Sequence, residues 1–164
     1  MIFLDTGAFL ANYLERDQYH DQARVAWRDL EATPWRCFTS NFVLDETFTF
    51  LARRTSYRFA AERARSLLAS NVLEILRPDE EHELQALDLF EKFADQQVSY
   101  TDCVSFALMK ARRIQRAFAF DRHFALAGFE LWSGGWDSVN EPRSAVDSAH
   151  GLRRREGHDL PGSG

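Results

Sequence analysis

Lysine is scarce in this sequence. Only two of the twenty basic residues are lysines, at positions 92 and 110, and the formal net charge is −5. Such a chain is a poor candidate for nonspecific nucleic-acid binding, because attraction to phosphate depends on clustered basic side chains. Arginines do cluster within 53–65 and 112–116. These clusters fit either bidentate phosphate contacts or solvated helix faces.

Cysteine and long apolar runs are also scarce. Cys37 and Cys103 show neither a CxxC spacing nor the density of a disulfide framework, which favours reduced thiols. The apolar start is three residues long and is followed by Asp5, so it does not match a secretory signal. No apolar run approaches the ~20 residues of a membrane span. We therefore expect a cytoplasmic protein that does not associate with membranes.

The residues that are present predict one α/β domain over residues 1–132. Aliphatic and aromatic side chains are frequent, with 14 Phe and 4 Trp, and can build a substantial core. Short apolar segments alternate with helical patterns, which indicates a mainly parallel sheet of four to five strands with helices on both faces. The predicted strands are residues 2–4, 37–39, 72–76, 117–120 and 129–132.

Helix starts and faces are also predicted. Ser40 or Asn41, Ser56, Asp79 and Ser99 are the expected starts or caps of four helices. In the helix that follows Asp79, the spacing predicts that Leu84, Leu87 and Phe90 face inward. Beyond Trp132 the composition becomes polar and rich in Gly, Ser and Pro. Residues 133–164 are predicted to be a mostly disordered tail.

Four acidic side chains occupy similar positions in this predicted fold. Asp5 and Asp121 each directly follow an apolar strand. Asp102 lies in the first turn of a helix, and Glu46 lies in the second turn of another. Helices that follow parallel strands begin at the carboxyl edge of the sheet, where the four acids can converge. Clustered carboxylates repel one another, and a hard divalent cation such as Mg²⁺ or Mn²⁺ removes that cost.

Each acid also has an ordinary structural interpretation. Asp5 and Asp121 can cap helices or close turns. Asp102 can offset a helix dipole, and Glu46 can be a surface glutamate. The joint arrangement of the four favours a metal site. No Ser-His-Asp or Cys-His arrangement offers a competing nucleophile.

Four motifs carry a resemblance to a known family. In chain order they are Phe3-Leu4-Asp5-Thr6-Gly7, Thr39-Ser40 with Val43-Leu44-Asp45-Glu46-Thr47, Ser99-Tyr100-Thr101-Asp102, and Phe120-Asp121-Arg122-His123-Phe124. In their order and spacing, residues 1 to about 132 resemble the PIN-domain ribonucleases. The resemblance is greatest to the VapC-like toxins of bacterial and archaeal type II toxin–antitoxin systems.

The resemblance implies a three-layer α/β/α PIN-like fold and Mg²⁺- or Mn²⁺-dependent hydrolysis of RNA. The family's acidic metal-site positions fall on Asp5, Glu46, Asp102 and Asp121. Asp5 and Asp102 are expected to be direct ligands. The other two acids are expected to bind through water or to orient the attacking water. Thr6 and Ser40 match positions that orient the ligands or contact the substrate.

Two partners are implied in the same way. One is a small antitoxin whose arginine or apolar segment fills the acidic groove, and the other is a second copy of the chain. The phenylalanines of the third and fourth helices fit either an apolar interface or the core, and the sequence does not decide between these. Alternative functions remain open at this stage. They are a housekeeping RNA-processing nuclease, a nuclease for single-stranded DNA, and a catalytically silent PIN domain that binds RNA or protein.

The sequence departs from the family at one position. Many relatives carry a further Asp two residues after the fourth acid, whereas this chain has His123. This favours one tightly held ion over two. A phosphate contact is an alternative for His123, but we interpret it as an exposed structural residue. His20 is also interpreted as structural.

Overall fold

The strands form one parallel sheet. The computed structural model describes residues 1–135, and its strands are Ile2–Leu4 (β1), Cys37–Ser40 (β2), Leu73–Leu76 (β3), Arg116–Phe118 (β4) and Glu130–Leu131 (β5). Their order in the sheet is β3-β2-β1-β4-β5, and every adjacent pair is parallel. The predicted α/β class and the parallel five-stranded sheet are confirmed.

Helices connect the strands. They are Thr6–Tyr13 (α1), His20–Ala32 (α2), Asn41–Arg54 (α3), Tyr57–Leu68 (α4), Glu80–Lys92 (α5), Tyr100–Ala111 (α6) and His123–Leu126 (α7). A 3₁₀ turn at Ala94–Gln96 follows α5. Within residues 1–135, no helix combines the length and apolar character needed to cross a membrane.

The core lies around β1 and α6. Ile2, Phe3 and Leu4 are all buried, although successive side chains of a strand point to opposite faces. Both faces of the sheet are therefore covered, as in other parallel sheets. In α6, every residue from Cys103 to Met109 is buried. Residues of β1 and α6 belong to one core cluster, so the residues that follow the strand and begin the helix have fixed positions.

Helix caps are placed as the sequence indicates. The Ser40 hydroxyl accepts a hydrogen bond from the Val43 amide, and Ser56 does the same for Phe59. Asp79 caps α5, and Ser99 caps α6 by accepting from the Asp102 amide. Side-chain caps satisfy amides that no helical carbonyl can reach, so they are determined locally and can be recognised from the sequence.

The predicted inward face of α5 is wrong. Leu84, Leu87 and Phe90 are 57%, 48% and 44% exposed. The helix instead buries Ala86 and packs Leu89 against the core. The predicted and the observed inward-facing residues both have three-residue spacing, so spacing alone does not decide between the two faces. The small side chain of Ala86 permits the close approach of α5 to α6, which selects that face over the bulkier one.

Strand β4 ends earlier than predicted. Its last residue is Phe118, because its partner β1 ends at Leu4 and offers no further backbone to pair with. The Asp5 amide donates to the Phe118 carbonyl at 3.1 Å, and the two chains then separate. Asp121 therefore lies three residues beyond the strand, in a loop that precedes α7.

The predicted tail begins within the described residues. Gly134 has a positive φ of 63°, and a Cβ at this position would lie 2.7 Å from the Ala26 Cα. Residue 134 therefore packs closely on α2. The remainder of the predicted tail, residues 136–164, lies outside the described residues, and the domain boundary at residue 132 stays a prediction.

Candidate active site

An open cleft of about 720 Å³ lies at the carboxyl edge of the sheet. Strand β1 is central, with β2 on one side and β4 on the other. The chain order therefore reverses at β1, which is where ligands bind in open parallel sheets. All four predicted acids line this acidic cleft, together with Thr6 and His123. The structure thus brings together residues from both ends of the described chain.

Asp5 is the most deeply placed of the acids. It follows β1, is 6% exposed, and accepts a hydrogen bond from the Gly7 amide at 3.2 Å. Burial raises its pKa from 3.8 to about 7, and the charges of Asp102 and Glu46 add to the effect. The amides of Gly7 and Thr6 oppose it only in part. Asp5 is therefore both an N-cap of α1 and a carboxyl group that lacks adequate charge compensation.

Asp102 reaches the cleft from the first turn of α6. Its side chain is 13% exposed. Burial raises its pKa, and the charge of Asp121 raises it further, while hydrogen bonds from Ser99 and His123 act in the opposite direction. Its charge also raises the pKa of Asp5. Carboxyl groups from distant parts of the chain thus meet in the cleft, where the charge of Asp102 disfavours the ionised form of Asp5.

Asp121 and His123 form a tight turn at the edge of the cleft. The Asp121 carboxylate accepts from the His123 amide at 2.9 Å, which is the turn-closing role considered for this aspartate. The turn directs the imidazole back to the acids. Its Nδ1 lies 3.1 Å from Asp121 Oδ2 and 3.3 Å from Asp102 Oδ2.

The interpretation of His123 as a surface residue is therefore wrong. Its side chain is 18% exposed and lies between two acids of the cleft. The departure from the family at this position is visible in the sequence, but the contact with the two acids is not. The contact with Asp102 depends on the direction of the turn and on the placement of α6, so the sequence alone carries no signal for it. His20 does have a structural contact, since its Nδ1 is 2.7 Å from the Ala11 carbonyl oxygen.

Glu46 is held by Thr6. The Thr6 hydroxyl donates to Glu46 Oε2 at 2.5 Å. This contact joins the start of α1 to the second turn of α3 and fixes the rotamer of the glutamate. Thr6 itself is 7% exposed, so the bond is shielded from water. The structure thus gives Thr6 a carboxylate partner, as its sequence position suggests.

Ser40 lies away from the cleft. It is fully buried, and its hydroxyl accepts from the Val43 amide to cap α3. The cleft-lining residues do not include it. Its observed contact is that of a helix cap that positions α3, the helix that carries Glu46.

Comparison with known proteins gives the family. A family model described as PIN domain matches residues 2–130. The chain belongs to the PIN-domain family. Over 129 residues it is 36% identical to the 23S rRNA-specific endonuclease VapC20 of Mycobacterium tuberculosis, covering 79% of this chain and 95% of that protein. Over 154 residues it is 28% identical to a VapC ribonuclease of Archaeoglobus fulgidus, covering 91% of this chain and 96% of that protein.

Solved structures agree with this membership. The crystal structure of M. tuberculosis VapC20, described as a sarcin–ricin-loop-cleaving toxin, matches with a TM-score of 0.71 at 35% identity, covering 79% of this chain and 96% of that one. FitAcB from Neisseria gonorrhoeae matches with a TM-score of 0.60 at 16% identity, covering 80% and 96%. The second similarity shows the fold alone. The PIN-like fold predicted from the motifs is therefore confirmed.

A divalent cation fits the donor groups of this PIN domain. Asp102, Asp121 and His123 each offer one ligand atom, and these atoms lie within 4.8 Å of one another. Asp5 and Asp102 both have raised pKa values, so a positive charge between them would stabilise their ionised forms. Carboxylate oxygens suit hard cations, and an imidazole nitrogen also suits first-row transition metals. The cleft thus has the composition of a metal centre.

Proposed function

We propose that this protein is a metal-dependent endoribonuclease and the toxin of a toxin–antitoxin pair, acting in the cytoplasm. The observation that carries the proposal is the convergence of Asp5, Glu46, Asp102 and Asp121 in one cleft of a PIN domain. The 36% identity to VapC20, an endonuclease, supports the reaction class. Mg²⁺ or Mn²⁺ is the proposed cofactor.

The proposed roles follow from burial and hydrogen bonding. Asp5 and Asp102 hold the ion directly, because their buried carboxyl groups gain most from a positive charge. Asp121 and His123 complete its surroundings from the cleft edge. A bound ion would neutralise charge on the phosphate and lower the pKa of a water molecule. Glu46, fixed by Thr6, would orient a water molecule for in-line attack on phosphorus and accept its proton. The phosphorus–oxygen bond to the leaving nucleotide would break, and its oxygen would take up a proton from solvent. No covalent intermediate is required.

The proposed substrate is ribosomal RNA of the large subunit. VapC20 is named as specific for 23S rRNA, and its crystal structure is described as that of a toxin that cleaves the sarcin–ricin loop. The cleft is open to solvent, and unpaired loops are the usual targets of sequence-specific RNA recognition. We extend the substrate of the relative to this chain on that basis.

An antitoxin is the proposed protein partner. The toxin description of VapC20 supports it. An acidic cleft also attracts a basic segment, so an antitoxin arginine that enters the cleft would compensate the carboxylates in place of the metal. A homodimer, implied by family resemblance, stays a prediction. Light scattering on the purified protein measures its molar mass and therefore its oligomeric state.

Cleavage mapping tests the function. Purified protein is incubated with ribosomes and with isolated RNA, with Mg²⁺, with Mn²⁺ and with EDTA, and the new RNA ends are sequenced. We expect metal-dependent cuts at a small number of sites. Asp5→Asn and Asp102→Asn should each lower the rate by at least about 100-fold, since each removes a charged ligand.

Asp88→Asn is the matched control. Asp88 is an exposed aspartate of α5, outside the cleft, and its variant should cleave like the wild type. Undiminished cleavage by both Asp5→Asn and Asp102→Asn would reject the site. Preferential cleavage of single-stranded DNA would favour the alternative nuclease role, and RNA binding without cleavage would favour the silent binding module.

A further inference from the structure

Two aromatic rings form a parallel stack on the wall of the acidic cleft. The ring centroids of Tyr19 and Phe120 are 4.5 Å apart, and their planes differ by 1°. Both residues line the cleft that holds the four acids. Neither ring is needed to hold a metal ion, so the stack requires its own explanation.

Phe120 is the inner ring of the stack. It packs edge-on against Phe118 of the core, with centroids 5.7 Å apart. Its Cδ2 would lie 3.7 Å from a Cβ at Gly7, so it also rests against the start of α1. Asp121 is the next residue in the chain. The inner ring is therefore fixed by the core and lines the same cleft as the proposed metal-site residues.

Tyr19 is the outer ring, and the loop that carries it is restrained. The Tyr19 amide donates to Asp17 Oδ1 at 2.9 Å, and the Asp17 amide donates to the Leu14 carbonyl at 2.9 Å. His20, the next residue, ties the loop to α1 through the Ala11 carbonyl. Although Phe120 covers one face of its ring, Tyr19 is still 38% exposed. A preorganised aromatic face is thus presented to the cleft.

We propose that Tyr19, supported from behind by Phe120, is a platform on which an unpaired RNA base next to the cleaved phosphate stacks. Proteins that bind single-stranded RNA hold splayed-out bases on aromatic rings in this way, because every base has a π-face. Arg122 lines the same cleft and offers a positive charge to the adjacent phosphate. The inference rests on the proposed ribonuclease function and adds to it the group that positions the substrate.

RNA is favoured over a protein side chain as the occupant because of where the platform lies. Phe120 and the metal-site residue Asp121 are adjacent in sequence, so a base on Tyr19 and a phosphate at the acids can belong to neighbouring nucleotides. The loop is also fixed before binding, which lowers the entropic cost of ordering a flexible strand. Stacking on aromatic rings tolerates any base, so the platform would position the strand without selecting its sequence.

Cleavage kinetics with three Tyr19 variants test the proposal. A base–aromatic stack contributes ~1–3 kcal/mol, or about 5- to 150-fold in binding. Tyr19→Leu keeps an apolar contact with Phe120 but removes the ring, and should lower kcat/KM by about 10-fold, mainly through KM. Tyr19→Phe and Tyr19→Trp keep a ring and should remain within about twofold of the wild type. Tyr57→Leu, at an 81% exposed tyrosine of α4 outside the cleft, is the matched control and should be unchanged.

Removal of the base provides the second test. Substrates with a single abasic nucleotide at each position around the cleavage site are cut by wild type and by Tyr19→Leu. At the stacked position, removal of the base should lower the cleavage rate of the wild type about as much as the Tyr19→Leu substitution does on the intact substrate. The same abasic substrate should not lower the rate of Tyr19→Leu any further. Additive losses at every position would show that Tyr19 and a base do not interact.

The outcomes separate this proposal from the function on which it rests. If wild type cleaves no RNA, the proposed function fails. If wild type cleaves and Tyr19→Leu is equally fast, only the platform is rejected. A Tyr19→Phe variant as slow as Tyr19→Leu would assign the effect to the hydroxyl and overturn the stacking. Unchanged RNA kinetics with weaker binding of a co-expressed antitoxin would make Tyr19 a protein contact and also overturn it.

Discussion

The hydroxyl of Thr6 donates a hydrogen bond to Glu46 Oε2, joining the first residue of α1 to the second turn of α3. The bond selects one rotamer of a glutamate that is otherwise only half-buried. In metal sites, mutation of a residue that orients a metal ligand typically lowers metal affinity or activity by 10- to 100-fold.

Replacement of Thr6 tests this relationship. Thr6→Val preserves shape but removes the donor, so we expect cleavage to fall by about 10- to 100-fold with little change in thermal stability. Thr6→Ser keeps the hydroxyl and should retain most activity. Steady-state kinetics on a defined RNA measure both variants. Equal activity of Thr6→Val and Thr6→Ser would show that the orientation of Glu46 does not depend on this bond.

The raised pKa of Asp5 predicts how the metal-free protein responds to pH. In the unfolded chain the carboxyl group titrates near its ordinary value of 3.8, whereas in the folded protein its pKa is about 7. Between these values the folded state binds more protons, so this group makes the free energy of unfolding fall as pH rises from about 4 to about 7. Each unit of difference between the folded and unfolded pKa corresponds to about 1.4 kcal/mol in the free energy of unfolding.

The difference between wild type and Asp5→Asn isolates that effect from other titrating groups. Melting temperatures are measured in EDTA at pH 5.5 and pH 8. The melting temperature of Asp5→Asn minus that of the wild type should be larger at pH 8 than at pH 5.5. Addition of Mn²⁺ at pH 8 should raise the melting temperature of wild type only. A pH-independent difference between the two proteins would contradict the assignment.

His123 should influence which metal is preferred. Imidazole nitrogen suits first-row transition metals, whereas Mg²⁺ selects oxygen ligands. His123→Asp should therefore bind Mg²⁺ more tightly relative to Mn²⁺ than wild type does, and His123→Ala should bind both ions more weakly. Calorimetric titration of the metal-free proteins gives the affinities without reference to cleavage. An unchanged Mg²⁺-to-Mn²⁺ ratio in His123→Asp would show that the imidazole is not a ligand.

Ser40 is expected to affect stability rather than chemistry. Ser40→Ala removes the hydroxyl that caps α3 and leaves the buried Val43 amide without its acceptor, which should cost about 1 kcal/mol or more. Denaturant unfolding measures the loss, and activity per folded molecule should be retained. Ser56→Ala removes an exposed cap of α4 and is the comparison. Full stability with lost activity in Ser40→Ala would instead favour a substrate contact.

Features determined locally were predictable from the sequence. The caps at Ser56 and Ser99 and the strand at Ile2–Leu4 depend on a few adjacent residues, and they lie where the sequence indicates. The acids converge as predicted because parallel strands share a carboxyl edge. That inference needs only the order of the elements and not their detailed packing.

Features that depend on a distant partner were not predictable. The end of β4 is set by the length of β1, and the buried face of α5 by its fit to α6. Both depend on contacts across the chain. The position of His123 depends on the direction of one turn, and that of Tyr19 on a stack with a residue about a hundred positions away. His123 and Tyr19 are also the residues that distinguish this cleft from a generic set of carboxylates.

The pairing of β1 with β4 has a consequence for the synthesis of the protein. Strand β1 can pair with β4 only after residues 116–118 have been made, and Asp121 follows those residues in the chain. A nascent chain that has not reached this point can have Asp5, Glu46 and Asp102 but lacks Asp121, the last of the four acids that line the cleft. The acidic cleft is therefore completed only after nearly all of the described domain has been translated.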